Sequence, residues 1–103
     1  MERLCFFIEL EEGAEEEYER RHRDLWPEMH EALVKAGYTN YSLFRRGTTV
    51  VGYAECVPDV ATVMAMMAGA DVTPRWNASF TSVIRKLTDQ DGQLLTADDV
   101  WHL

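Results

Sequence analysis

The sequence predicts an α+β domain, a small antiparallel sheet with helices on one face, and three observations point there. Arg3–Leu10 (RLCFFIEL) alternates, with Leu4, Phe6, Ile8 and Leu10 on one side and Cys5 and Phe7 on the other. From Ala14 to Ala36 the apolar positions recur at helical spacing. Two strand-like runs, Thr39–Arg46 and Thr49–Cys56, are separated only by Gly47 and Thr48, which is a hairpin pattern.

Taken in order, the first strand, Arg3–Leu10, is apolar on both faces, so both faces are expected to be covered. The first helix begins after Gly13 and carries the stripe Ala14, Tyr18, Leu25, Met29, Leu33 and Ala36. Pro27 has no N–H and disfavours helical geometry at Trp26, which predicts a kink there, or a break with Pro27 opening a second segment. Gly37 suits the C-terminal cap. After the hairpin, Pro58–Gly69 reads as a helix with its proline near the start. A further helix is expected over Pro74–Leu87, with Thr73 as its N-cap, and the tail Asp98–Leu103 as a last short strand. The order is βαββαβ, the ferredoxin-like split βαβ plan, in a single domain over residues 1–103. Its helix-free face is expected to carry Phe7, Tyr41, Leu43 and Tyr53, depending on register. Such a patch calls for a partner, and two sheets packed face to face in a homodimer would cover it.

Composition narrows the function. With 47% hydrophobic and 27% charged residues, the chain is of the folded globular kind. A net charge of −8 leaves no basic stripe for a phosphate backbone, so no nucleic-acid partner is expected. Glu11, Glu12, Glu15, Glu16 and Glu17 crowd a helix start, where the macrodipole favours them, and follow no metal-ligand spacing. Cys5 and Cys56 fall in apolar strand runs and read as buried free thiols. No segment has the length of a membrane span or the form of a secretory leader; the expectation is a cytoplasmic protein with no membrane partner.

Among side chains able to do chemistry, Tyr18 and His22 share one helical face at i, i+4, with Trp26 a turn further on. An imidazole both gives and takes a proton near neutrality. Tyr18 can hydrogen-bond a polar ligand, and Trp26 offers an apolar plane. On spacing alone, a helical histidine beside aromatics is more often packed than catalytic. His30 and His102 have no such setting. Tyr41 reads as a half-buried strand tyrosine, and Trp76 as either core packing or a stacking surface for a sugar or ring. Met64, Met66 and Met67 read as core filler. There is no nucleophile elbow, no base beside either cysteine in sequence, and no phosphate-binding glycine loop.

The stretch EYERRHRDLWPEM (Glu17–Met29) resembles the L-rhamnose mutarotase family pattern E-Y-x-x-R-H-x-x-[IL]-W-P-E-[LM]. The resemblance continues in order through NYSLF (Asn40–Phe44), VVGYAE (Val50–Glu55), the Arg75–Trp76 pair and the terminal VWHL, and so spans nearly the whole chain. It implies a dimeric α/β-barrel built from two ferredoxin-like sheets, and anomer exchange on L-rhamnose or a related aldose without cofactor or metal. It also implies His22 as proton donor, with Tyr18, Tyr41 and Trp76 as sugar contacts. Where the family usually has a second consecutive tryptophan, this chain has Asn77, an amide in place of a stacking surface at a substrate-contact position. Arg45–Arg46 likewise departs from the commoner apolar-acidic pair.

Anomer exchange opens a hemiacetal to an aldehyde, lets it rotate, and closes it again. One group protonates the ring oxygen while another takes the anomeric proton, and His22 suits both directions. Tyr41, Glu55 and water are the alternatives for the second group. Two other readings share the fold plan: a cofactor-free monooxygenase or small-molecule isomerase, and a non-catalytic sugar-binding protein.

Overall fold

The alternation near the N-terminus becomes the central strand of the sheet. In the computed structural model, which describes residues 1–103, β1 (Glu2–Leu10) buries Leu4, Phe6, Ile8 and Leu10. Then follow α1 (Glu15–Arg23), α2 (Pro27–Ala36), β2 (Tyr38–Arg46), β3 (Thr49–Cys56), α3 (Val60–Ala68), α4 (Val72–Ser79), β4 (Ile84–Lys86) and β5 (Thr96–Ala97). The sheet order is β2-β3-β1-β4, and β5 also pairs with β1. All pairs are antiparallel. Val50, Ala54 and Cys56 of β3 continue the buried face of β1, and Tyr18, Ala36 and Val63 from the helices close over it.

The predicted interruption at Pro27 is a break. Trp26 is extended, at φ −59° and ψ 134°, and Pro27 opens α2, where its missing N–H leaves no bond unmade. Gly37 ends α2 in the left-handed region at φ 110°, and a Cβ there would meet the Val57 carbonyl oxygen at 2.1 Å. The Asp59 carboxylate caps α3 by accepting from the Thr62 N–H at 2.8 Å.

Three expectations are corrected. The helix expected over Pro74–Leu87 ends at Ser79, and Ile84–Lys86 is strand. Ser79, Thr81 and Ser82 offer hydroxyls that compete for helical backbone groups, and the β-branched Val83 and Ile84 favour strand. The Arg21 guanidinium donates to the Ser79 carbonyl at that helix end. Thr73 lies inside α4, and its hydroxyl donates to the Met67 carbonyl at 2.6 Å, so it is no N-cap. Within the tail, the strand is Thr96–Ala97, ahead of the expected Asp98–Leu103, which has no regular structure. Arg3 instead holds that segment through Asp99 and His102.

The helix-free face also differs in part. Phe7 pairs with Val51, which in turn pairs with Phe44, and Cys5 pairs with Tyr53, so Phe7 and Tyr53 lie there as expected. Leu43 pairs with Gly52, opposite Phe6, and therefore faces the helices. Tyr41 joins it on that side, in edge contact with Phe6. The cause is a bulge between Thr39 and Ser42, where Asn40 adopts φ 44° and shifts the strand's phase by one residue.

Candidate functional site

The site starts with two residues one turn apart on α1. Tyr18 is buried, and its ring lies 4.4 Å from that of His22. The His22 Nδ1 is 2.9 Å from the Tyr18 carbonyl oxygen, which can only accept. That contact assigns the proton to Nδ1 and leaves Nε2 with the lone pair. Burial draws the His22 pKa below its ordinary 6.5, partly offset by the same hydrogen bond, so the ring is neutral at pH 7. Phe80 stacks on it at 5.6 Å and 8°, and Trp76 meets it edge-on at 5.6 Å. Phe80 and Trp76 are themselves one turn apart and 4.6 Å between ring centres. An imidazole held on three sides by aromatics, with one backbone bond, has a fixed tautomer and a fixed direction.

His22 opens into a cleft of about 400 Å³ between the helices and the edge strand β2. Trp76, Tyr38, Tyr41, Leu43 and Met29 also line it. An adjoining cavity of about 460 Å³ shares His22 and Leu43 and reaches Tyr18 and Arg45. Tyr41 leans on Tyr38, with ring centres 4.9 Å apart. Burial holds the phenols of Tyr18 and Tyr41 well above their ordinary range, and pushes Tyr38 up to about 12. All three therefore stay protonated at neutral pH.

Thus the structure brings together Tyr18, His22, Tyr41 and Trp76, four of the five residues proposed from sequence. It sets Asn77 apart: that residue is exposed on α4 and lines neither cavity. Glu55 is on the helix-free face, where it accepts from Asn40 Nδ2 at 3.0 Å and Tyr53 Oη at 2.8 Å, so it does not reach this cleft. Trp26 abuts Trp76 at 5.1 Å from outside the cleft. Sequence reasoning passed over Phe80, Tyr38 and His30, all of which belong to the site's walls. Phe80 stands at i+4 from Trp76 and His30 at i+4 from Trp26, so helical spacing was the available signal. A larger groove, about 520 Å³ between α2, α3 and α4, has neither an aromatic nor an imidazole and offers no comparable chemistry. No group of three or more His, Cys, Asp or Glu side chains gathers in a metal-binding arrangement.

The chain resembles known proteins over its whole length. A family model described as L-rhamnose mutarotase matches residues 3–103. The chain is similar to the L-rhamnose mutarotase of Lactiplantibacillus plantarum, 39% identical over 100% of this chain and 99% of the relative. It is similar to that of Lachnoclostridium phytofermentans, 30% identical over the same shares. Among solved structures, the L-rhamnose mutarotase of Formosa agariphila superposes with a TM-score of 0.80 at 22% identity, covering 100% of this chain and 99% of that one, which is a likeness of fold.

Proposed function

The chain belongs to the L-rhamnose mutarotase family, and from that premise we propose that it interconverts the α and β anomers of L-rhamnose or a related aldose by general acid–base ring opening, with His22 as the proton-transfer group. The observation that carries the assignment is the neutral His22, its Nδ1 proton tied to the Tyr18 carbonyl and its Nε2 free beside an aromatic cleft. In ring opening, Nε2 takes the anomeric hydroxyl proton. The C1–O bond to the ring oxygen breaks, C1 becomes a carbonyl, and the ring oxygen receives a proton from the Tyr41 phenol or from water. Rotation about C1–C2 presents the other carbonyl face. On closure the C5 hydroxyl adds to C1 and gives its proton back to the group that supplied it, while the protonated His22 returns its proton to the carbonyl oxygen, which is the donor role the sequence pattern implies. Trp76 offers its plane to the C–H side of the sugar, Tyr41 pairs a hydroxyl, and Tyr18 forms the floor beneath His22.

Saturation-transfer NMR on a panel of reducing sugars tests this, since it reads binding and anomer exchange together. His22→Ala is expected to lower exchange by roughly 100-fold or more with the circular dichroism unchanged. Undiminished exchange in a folded variant would remove His22 from the mechanism. The relatives' names favour neither the monooxygenase or small-molecule isomerase reading nor the non-catalytic binding reading.

The proposal extends to assembly. Residues 1–103 act as one domain that forms a homodimer, the helix-free sheet faces packing together as a dimeric α/β-barrel. Cys5, Phe7, Val51, Tyr53 and the 63% exposed Phe44 supply the apolar surface that supports it. Sedimentation showing a stable monomer at micromolar concentration would refute this. Free Cys5 and Cys56 support a reducing, cytoplasmic setting, and no helix is long and apolar enough to cross a membrane.

A further inference from the structure

A pyranose has two flat faces of C–H groups and a rim of hydroxyls, so a site that fixes its orientation needs polar partners around that rim. Three polar side chains of the His22 cleft are already engaged. The Thr39 hydroxyl donates to the Glu55 carbonyl at 2.8 Å, the Asn40 amide donates to the Glu55 carboxylate at 3.0 Å, and the Tyr38 hydroxyl contacts the Met64 sulfur at 3.7 Å. Four groups remain without a partner inside the chain: His22 Nε2, the Tyr41 hydroxyl, the Trp76 indole N–H and the imidazole of His30. The mechanism above uses the first two on the reacting atoms and the plane of Trp76 for stacking. It leaves His30 unused.

His30 stands on α2, one turn after Trp26 and one turn before Val34, where it forms part of the exposed rim of the cleft. His22 comes from α1, Tyr41 from β2 and Trp76 from α4, so with His30 on α2 the four free groups approach the cavity from four different elements. We propose that His30 hydrogen-bonds a non-anomeric ring hydroxyl of the bound sugar and is a specificity-determining residue. An imidazole carries one donor and one acceptor in either neutral tautomer, which matches a hydroxyl whichever way that hydroxyl turns. A second proton-transfer role fits less well. No hydrogen bond fixes the tautomer or direction of His30, and it is exposed, whereas His22 is clamped by three rings and a carbonyl. A site that pairs a hydroxyl rejects the analogue lacking it, so this one contact can set which aldoses are accepted.

The proposal rests on the mutarotase reading, and the test separates the two. Anomer-exchange kinetics are measured for wild type, His30→Ala and His30→Gln on L-rhamnose and its 2-, 3- and 4-deoxy analogues, with circular dichroism as the fold control. His30→Ala is expected to raise KM for L-rhamnose about 3- to 10-fold, the size of one neutral hydrogen bond, with the loss concentrated in KM rather than kcat. His30→Gln, which keeps a donor and an acceptor, recovers part of it. For one deoxy analogue, KM is raised in wild type and rises no further in His30→Ala, because the partner hydroxyl is already gone. If KM for L-rhamnose is unchanged in His30→Ala, or rises equally for L-rhamnose and all three analogues, the role of His30 is overturned while the mutarotase reading stands. If wild type exchanges none of the sugars, both fall.

Discussion

Gly52→Ala places the smallest side chain in a crowded position of the sheet. Gly52 pairs with Phe6 across β1 and β3, and the Phe6 ring lies over it. A Cβ at residue 52 would sit 2.1, 2.3 and 2.7 Å from three carbons of that ring. Carbon atoms pack at about 3.5–4.0 Å, so the ring must move by roughly 1.5 Å. Gly52 is not in the left-handed region, so space and not backbone strain sets the cost. Phe6 belongs to the core cluster and is only 5% exposed, which leaves it little room to yield. Overpacking of this kind costs about 1–3 kcal/mol. For a domain of this size that is a fall in Tm of roughly 4–20 °C. The same displacement reaches the site, because Phe6 touches the Tyr41 ring, their centres 6.1 Å apart. Thermal unfolding and anomer exchange on the same samples are the assay, with lowered Tm and lowered exchange expected together. Adding Phe6→Leu should recover part of the stability, so that the pair costs less than the sum of the single changes. A Tm within a degree of wild type would refute the reasoning, since the ring would then have had free space around it.

Burial of His22 sets a pH dependence. Its folded pKa lies below 6.5, so the unfolded chain takes up a proton first as the pH drops through 6.5, and stability falls with acidification in that window. Urea midpoints at pH 7 and pH 5 should differ less in His22→Gln than in wild type, and equal differences would place the imidazole in solvent. At the β2 bulge, Asn40→Gly should lose only the exposed hydrogen bond to Glu55, because both residues accept φ 44°, while Asn40→Val should cost about 1–2 kcal/mol more and lower exchange by moving Tyr41. Denaturation of the two variants checks it, and equal stabilities would mean that the left-handed residue is not required.

The parts of the fold legible in sequence are those where one period runs uninterrupted. Alternation in β1 marked Leu4, Phe6, Ile8 and Leu10, and these are the buried residues. Pro27 and Gly37 carry backbone constraints of their own and marked the ends of α2. The overlong fourth helix has a physical origin. Trp76, Phe80, Val83 and Leu87 recur at helical spacing, and Phe80 and Val83 are buried, yet the chain leaves the helix at Ser79. Periodicity cannot distinguish a stripe along one helix from core residues of a helix and the turn that follows it. The site divides in the same way. Tyr18 and His22 are neighbours on one helix and were found together, whereas Phe80 and His30 reach them only through tertiary packing.

Two local changes of phase decide which aromatics line the cleft. Were α1 and α2 one continuous helix, Trp26 would stand one turn above His22 on the same face. The extended backbone at Trp26 turns its indole to the outer side of Trp76 and lets Leu25 line the cleft instead. On the opposite wall, an unbulged β2 would keep strict alternation from Tyr38, which faces the helices, and would send Tyr41 to the other side of the sheet. The extra residue at Asn40 reverses that parity and brings Tyr41 in above Phe6. The helix break removes a tryptophan from the space beside His22, and the strand bulge adds a tyrosine across from it. The proline and the left-handed asparagine therefore act on the sugar site without touching it, by choosing which aromatic side chain faces inward.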